Sequence, residues 1–313
     1  MVKMIDFNKA KTYSFKGDTF KVKSRDFARP PQEKISFIDF YRSLPSVLRA
    51  EDLRNVVEAI IKAVKKRKPV IFMCGAHVIK CGLNPVVIEL IKRGIITCLS
   101  LNGSGIIHDF EIAYQGATSE DVATSLRKGR FGMNRKTAKF LNQAISEGVD
   151  KGLGLGQAVA QAMIKQNFPF KDRSIICQAI KSKIPVTVHI AVGTDIIHQH
   201  PNFDAGLTGE GSLRDFRLLV EVVSRLGQGG VLINFGSAVI LPEVFIKALN
   251  LARNLGFKVK DFTAANFDMI YHYRPAENIV RRPVMSGGKG YYIIGHHEIM
   301  LPLLAQAIIE RSS

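Results

Sequence analysis

Residues 186–211, VTVHIAVGTDIIHQHPNFDAGLTGEG, run from β-branched residues into glycine, a carboxylate and two histidines before helix-forming residues return. Val186, Thr187, Val188, Ile190 and Val192 predict a strand buried on both faces, the kind found in parallel sheets covered by helices. In such sheets the ligand crevice lies beyond the carboxyl ends of the strands. Gly193, Asp195, His198 and His200 are therefore the first candidates for function, set against the plainer reading of a loop held by its own side-chain hydrogen bonds.

The same grammar repeats on both sides. Ala50 to Lys66 predicts an amphipathic helix, with Leu53, Val56, Val57, Ile60, Ile61 and Val64 along one side and Glu51 and Asp52 in its first turn. Pro69 to Cys74 predicts a strand, followed by Gly75, Ala76 and His77 and a helix from Pro85 to Arg93. Ile95 to Leu101 predicts the next strand, and the turn Asn102-Gly103-Ser104-Gly105 opens a helix where backbone N–H groups would face a phosphate. That turn departs from G-x-G-x-x-G, because Ile106, Ile107 and His108 follow Gly105. Helices are expected within 118–134 and over 137–147, 157–166 and 173–181. The glycine-dense run 148–156 has no strand before it and reads as a helix junction. Beyond the central stretch, a helix over Ser212–Leu226, strands at Val231–Phe235, Lys258–Phe262 and Tyr291–Ile294, and a final apolar helix complete the pattern. Repeated strand, glycine-polar turn and helix units predict an α/β protein, a Rossmann-like three-layer fold with a largely parallel central sheet. Residues 1–48 read as an extended N-terminal arm with a short helix in FIDFYRSLP, and 49–313 as the domain.

Composition narrows the class. The 313 residues are 46% hydrophobic, and no run reaches the roughly eighteen uninterrupted apolar residues of a membrane span. The first twenty residues lack the apolar core of a signal peptide, so the cytoplasm is the expected compartment. Cys74, Cys81, Cys98 and Cys177 form no Cys-x-x-Cys pair and are expected to be free thiols. A formal net charge of +17 attracts anions, which leaves nucleic-acid contact open; the absence of Trp and of aromatics interleaved with the lysines does not favour it.

The ordered set GTDII at 193–197, TAANFD at 263–268, RPAENIV at 274–280 and MSGGKG at 285–290 resembles the deoxyhypusine synthase family, as does TCLSLNGSGIIHDFE at 97–111. The likeness covers roughly residues 50–310. It implies a Rossmann-like homotetramer that binds NAD and a polyamine or related diamine. The implied reaction oxidises the polyamine and passes its aminoalkyl group to an amine through an imine on a lysine. Lys289 falls where that family holds its imine-forming lysine, and Asp195 where an acid holds a polyamine ammonium. Asn102, Gly103, Ser104 and Gly105 fall near its NAD-binding turn, and Thr263, Ala264 and Asp268 in a second cofactor-lining segment. Glu277 and His198 join Asp195 as substrate-binding candidates. Two features depart from the family: there is no Trp beside Lys289, and VILPEVF lacks the family's histidine-rich element.

Two other classes compete. A metal-dependent hydrolase would use His198 and His200 with Asp195 or Asp204. A noncatalytic binding or assembly protein would use the basic arm and keep only a degenerate pocket.

Overall fold

The computed structural model describes residues 4–14 and 20–312. Six strands, β1 (Val70–Cys74), β2 (Cys98–Asn102), β3 (Val186–His189), β4 (Val231–Phe235), β5 (Phe262–Asp268) and β6 (Gly288–Ile294), form one sheet in the order β3-β2-β1-β4-β5-β6. Every pairing is parallel. This is the doubly wound order in which ligands lie where the chain reverses direction, between the carboxyl ends of β1 and β4.

Alternation along the strands sends side chains to two helical layers. Val70 and Phe72, Leu99 and Leu101, Ile233 and Phe235, and Ala265 and Phe267 face one layer. That layer is made of α2 (Leu48–Lys65), α4 (Asn84–Lys92), α5 (Gly103–Gln115), α7 (Arg135–Asp150), α8 (Leu155–Lys165), α9 (Ile175–Lys181) and α13 (His297–Ser312). Ile71, Met73, Leu232, Phe262 and Ala264 face α10 (Ala205–Ser224) and α11 (Ile240–Asn254) on the other side. Each fully buried Val, Leu, Ile, Phe or Met among these contributes about 1.5–3 kcal/mol by leaving water. Shorter helices complete the chain: α1 (Phe37–Ser43), α3 (Ala76–Lys80), α6 (Val122–Arg127) and α12 (Tyr273–Pro275), the last running into a π-helical turn at Ala276–Arg281.

The short helix expected in FIDFYRSLP is α1, and it is docked. Tyr41 is buried, and Arg54 of α2 donates to the carbonyls of Tyr41, Leu44 and Pro45. Most of the described residues before it lie open to solvent, with Met4, Ile5, Phe7 and Tyr13 all exposed. The extended arm read over residues 1–48 falls partly on residues 1–3 and 15–19, outside the described residues, and its described portions form no strand.

Several boundaries differ from those read in the sequence. β3 stops at His189, and Val192 is exposed rather than sheet-buried. The strand placed at Lys258–Phe262 begins at Phe262, so TAANFD is itself β5. Lys289, which precedes the strand read at Tyr291–Ile294, lies within β6 as the register partner of Thr263. No helix among the described residues is long and apolar enough to cross a membrane. All four cysteines are free; Cys74, Cys98 and Cys177 are buried, and Cys81 is half-buried.

Candidate functional site

Two polar regions lie at the carboxyl end of the sheet, one on each side of the chain reversal. The first is built on the turn from β2 into α5. The Asn102 side chain caps the helix by accepting from the Gly105 N–H at 3.0 Å. The Asp195 carboxylate lies over the same turn, where the Ser104 N–H favours its charged form. A Cβ on Gly103 would stand 1.9 Å from Asp195 Oδ2, so the glycine is what admits the carboxylate. The turn read from the sequence as a phosphate cradle thus already has an anion against it. A helix N-terminus stripped of side chains attracts an anion, and here the anion is the chain's own Asp195.

Asp195 faces a cavity of about 210 Å³ that also takes Lys80, Ser104, His108, Glu111, Glu120 and Phe131 into its wall. Burial pushes the Asp195 carboxyl up to about 6, and the Ser104 N–H only partly offsets this. Burial also raises Glu111, which accepts from the Thr118 hydroxyl at 2.5 Å. Glu120 accepts from the Gly132 N–H at 2.7 Å, which draws the loop after α6 over the cavity. His108 Nδ1 lies 2.6 Å from the Thr118 oxygen. Because that hydroxyl gives its proton to Glu111, His108 must donate from Nδ1, leaving Nε2 unprotonated. Burial, with help from Lys80, lowers His108 to about 4, so the ring is neutral at pH 7.

His198 serves the loop more than a ligand. Its Nδ1 accepts from the N–H groups of Gly193 and Asp195, Nε2 stands 3.9 Å from Asp195 Oδ2, and the ring packs on Phe203. His200 turns away to the Gly132 carbonyl at 2.8 Å, and Asp204 caps α10 through the Leu207 N–H. The ligand set of a metal hydrolase is therefore dispersed, and no group of three ligating side chains forms among the described residues.

The second region lies at the carboxyl ends of β4 and β5. Asn234 and Asn266 are register partners joined by a 2.6 Å hydrogen bond, and Asp268 follows on the same face of β5. Among the described residues, ten buried side-chain polar atoms have no hydrogen-bond partner, and five of them are here: Asn234 Oδ1, Asn266 Nδ2, Asp268 Oδ2 and both ring nitrogens of His297. Such groups are rarely left unpaired, and their concentration marks a place built for a polar guest. His297 lies edge-on to His77 with ring centroids 5.4 Å apart. A Cβ on Gly236 would come within 2.8 Å of the His297 ring, and one on Gly75 within 2.4 Å of the Gly236 carbonyl. Side chains at either glycine would close the point of reversal.

The remaining predicted residues do not join these regions. Lys289 and Thr263 line a separate cavity at the amino end of the sheet, and Ala264 is buried in the sheet interior. Lys289 on β6 and Asp195 after β3 belong to opposite edges, separated by five strand steps of about 4.8 Å, roughly 24 Å. Within one chain the proposed lysine and carboxylate thus share no cleft. Glu277 is held in ion pairs by Arg281 and Arg282. The sequence reading missed Lys80, His108, Glu120, Asn234, Asn266 and His297. For Asn234, Asn266 and His297 the available signal was a polar residue at or just beyond a strand end, whereas Lys80, His108 and Glu120 come from helices and a loop well past the strands.

No family profile and no curated protein matches the sequence. Solved structures do. A conserved putative LOR/SDH protein from Methanococcus maripaludis S2 superposes with a TM-score of 0.52 at 14% identity, over 91% of this chain and 74% of its own. The likeness is one of fold. AgrE, solved as a ternary complex with ornithine and NAD+, superposes with a TM-score of 0.52 at 13% identity; the match covers 83% of this chain but only 33% of AgrE. A putative deoxyhypusine synthase from Entamoeba histolytica matches 90% of this chain and 96% of its own at 12% identity, with a TM-score of 0.50. The relation to the deoxyhypusine synthase family is accordingly a distant one, carried by the fold.

Proposed function

We propose that this protein is an NAD-linked enzyme that oxidises an amine, and that the amine's ammonium group is held by Asp195, Glu111 and Glu120. The observation that carries this reading is the cavity itself. Three carboxylates and one lysine converge on one cavity, in a chain whose formal charge is +17. A basic protein has no electrostatic reason to gather acids around one hollow, two of them largely withdrawn from water, unless a cation is to be paired there.

NAD fits the second region. Asn234, Asn266 and Asp268 offer unpaired donors and acceptors beside the chain reversal, and Gly75 and Gly236 leave the backbone bare. These residues would hold the cofactor, which when bound supplies a hydride acceptor. The turn at 102–105 is left out of the cofactor site, because its N–H groups already serve Asn102 and Asp195.

The chain's own groups then have definite tasks. Ionised Asp195 fixes one end of a diamine, so the other end is presented in a single pose. Neutral His108, tied through Nδ1 to Thr118 and Glu111, offers Nε2 to take the proton released as the reacting amine becomes an imine. The class of reaction is aminoalkyl transfer from a polyamine to an acceptor amine, as in deoxyhypusine or homospermidine synthesis. In one chain that transfer proceeds without a lysine carrier, since Lys289 lies elsewhere.

Calorimetric titration tests the assignment and separates it from a noncatalytic binding protein. NAD should bind the wild type and bind Asp268→Ala at least tenfold more weakly. A diamine should bind the NAD complex with Asp195 intact. Failure of both ligands to bind would leave the binding-protein reading in its place.

A further inference from the structure

The amino end of the sheet carries a second site of opposite sign. The segments that feed the six strands, 65–69, 92–97, 181–185, 225–230, 256–261 and 285–289, together hold twelve Lys and Arg and one acid, Asp261. Parallel topology gathers all six at one end of the molecule. Some of these cations answer the carbonyls of helix C-termini, as Lys65, Lys92 and Lys181 do at the ends of α2, α4 and α9. That reason does not cover Lys289, which is the second residue of a strand.

At the feet of β5 and β6 the charge becomes concave. A cavity of about 230 Å³ is lined by Lys62 of α2, by Lys66 at the C-cap of that helix and by Lys289 from β6, with Asn55, Thr263 and Tyr291 adding neutral polar groups. Lys62 and Lys66 are four residues apart on one helix face, an arrangement that is repulsive by itself. None of the three lysines has a carboxylate within ion-pair distance among the described residues. The one acid in the wall, Glu58, is taken by Arg311. Three unpaired ammonium groups from two elements around one hollow form a receptor for a compact multivalent anion. Within one chain, their separation from the acidic cavity by the length of the sheet keeps them out of the amine site.

We infer that this cavity binds a phosphate-bearing small molecule, with Lys62, Lys66 and Lys289 as its charged donors and the Thr263 hydroxyl as a neutral one. A phosphomonoester dianion matches the local charge and can accept from all three ammonium groups at once. The site is independent of the amine reaction.

Titration of the full-length protein with inorganic phosphate and with a phosphate monoester, followed by calorimetry, tests the inference. Saturable one-to-one binding is expected, weakened at least tenfold in Lys289→Ala and in Lys62→Ala/Lys66→Ala and unchanged in Lys151→Ala, whose lysine follows α7. Unfolding midpoints of the variants, measured alongside, ensure that lost binding is not lost fold. No saturable binding at millimolar phosphate, or equal affinity in Lys289→Ala, overturns the site. A fluorescently labelled single-stranded RNA run in parallel gives the third arm. If RNA binds with a steep salt dependence that Lys289→Ala leaves unaltered, the charge works as a dispersed polyanion face and the discrete pocket is wrong.

Discussion

Asp195 and Gly103 make sense only as a pair. The carboxylate stands where the glycine's Cβ would be, so Gly103→Ala must push it away from the Ser104 N–H and out of the cavity wall. We expect this variant to fold with a loss of about 1–3 kcal/mol from the local clash, and to lose most of its amine affinity. A denaturant midpoint and an amine titration read the two effects separately; full amine affinity in Gly103→Ala would remove Asp195 from the site. The raised carboxyl makes a second prediction. Only ionised Asp195 attracts an ammonium, and its pKa lies at about 6, so amine binding should strengthen as pH rises from about 5 to 7 and then level off. Asp195→Asn should bind weakly and lose this limb of the profile. At this scale the sequence was informative about Asp195 and silent about its neighbours. Its glycine, carboxylate and strand-end position were all visible. Glu120 and His108 enter the same wall from distant loops and helices, a juxtaposition that no local pattern encodes.

Among the elements, the recurrent device is a buried aspartate at a helix N-terminus. Asp195 serves α5. Asp109 accepts from the Ile175 and Ile176 N–H groups at the start of α9, with Asn84 and Ser174 as further partners. Asp215 accepts from Gly156 in α8 and Val188 in β3, and a Cβ on Gly154 would collide with it. The glycine-dense run 148–156 is thus the helix junction its sequence suggested, and its glycines make room for a carboxylate and for the close approach of α7 to α8 at Gly148 and Ala158. Burial outweighs these hydrogen bonds and pushes Asp215 up to about 7. Since the folded pKa exceeds the unfolded value of about 3.9, the group's contribution is greatest below pH 4 and is lost as pH rises through 7. The difference in Tm between wild type and Asp215→Asn should therefore shift in favour of the variant between about pH 4 and pH 7, by the equivalent of a few kcal/mol at most. A difference that is flat with pH would mean that Asp215 is ionised throughout. Element boundaries were less legible where tertiary pairing overrode local preference. Ala264, Ala265 and Asn266 are poor strand formers in isolation, yet they form β5 because strands pair with it on both sides.

The whole molecule is polarised along its strands, with carboxylates gathered in a cavity at one end and lysines at the other. The alternation of strands and helices that implied this fold could be read directly, because it depends on apolar periodicity and glycine turns. Strand order could not, since it is fixed by long-range pairing, and with it went the position of Lys289. A glycine-flanked lysine reads as a loop, whereas the register of β6 on β5 sets it beside Thr263 at the far end of the sheet. The central claim, that the acidic cavity is an amine site working with NAD, is tested most directly by formation of NADH at saturating NAD with putrescine, spermidine or homospermidine. The account predicts amine-dependent NADH in the wild type, and a kcat/KM lower by about a hundredfold or more in Asp195→Asn, the scale expected for losing a buried charge-assisted contact. Equal turnover in Asp195→Asn, or no amine-dependent NADH in wild-type protein that binds NAD, would contradict it.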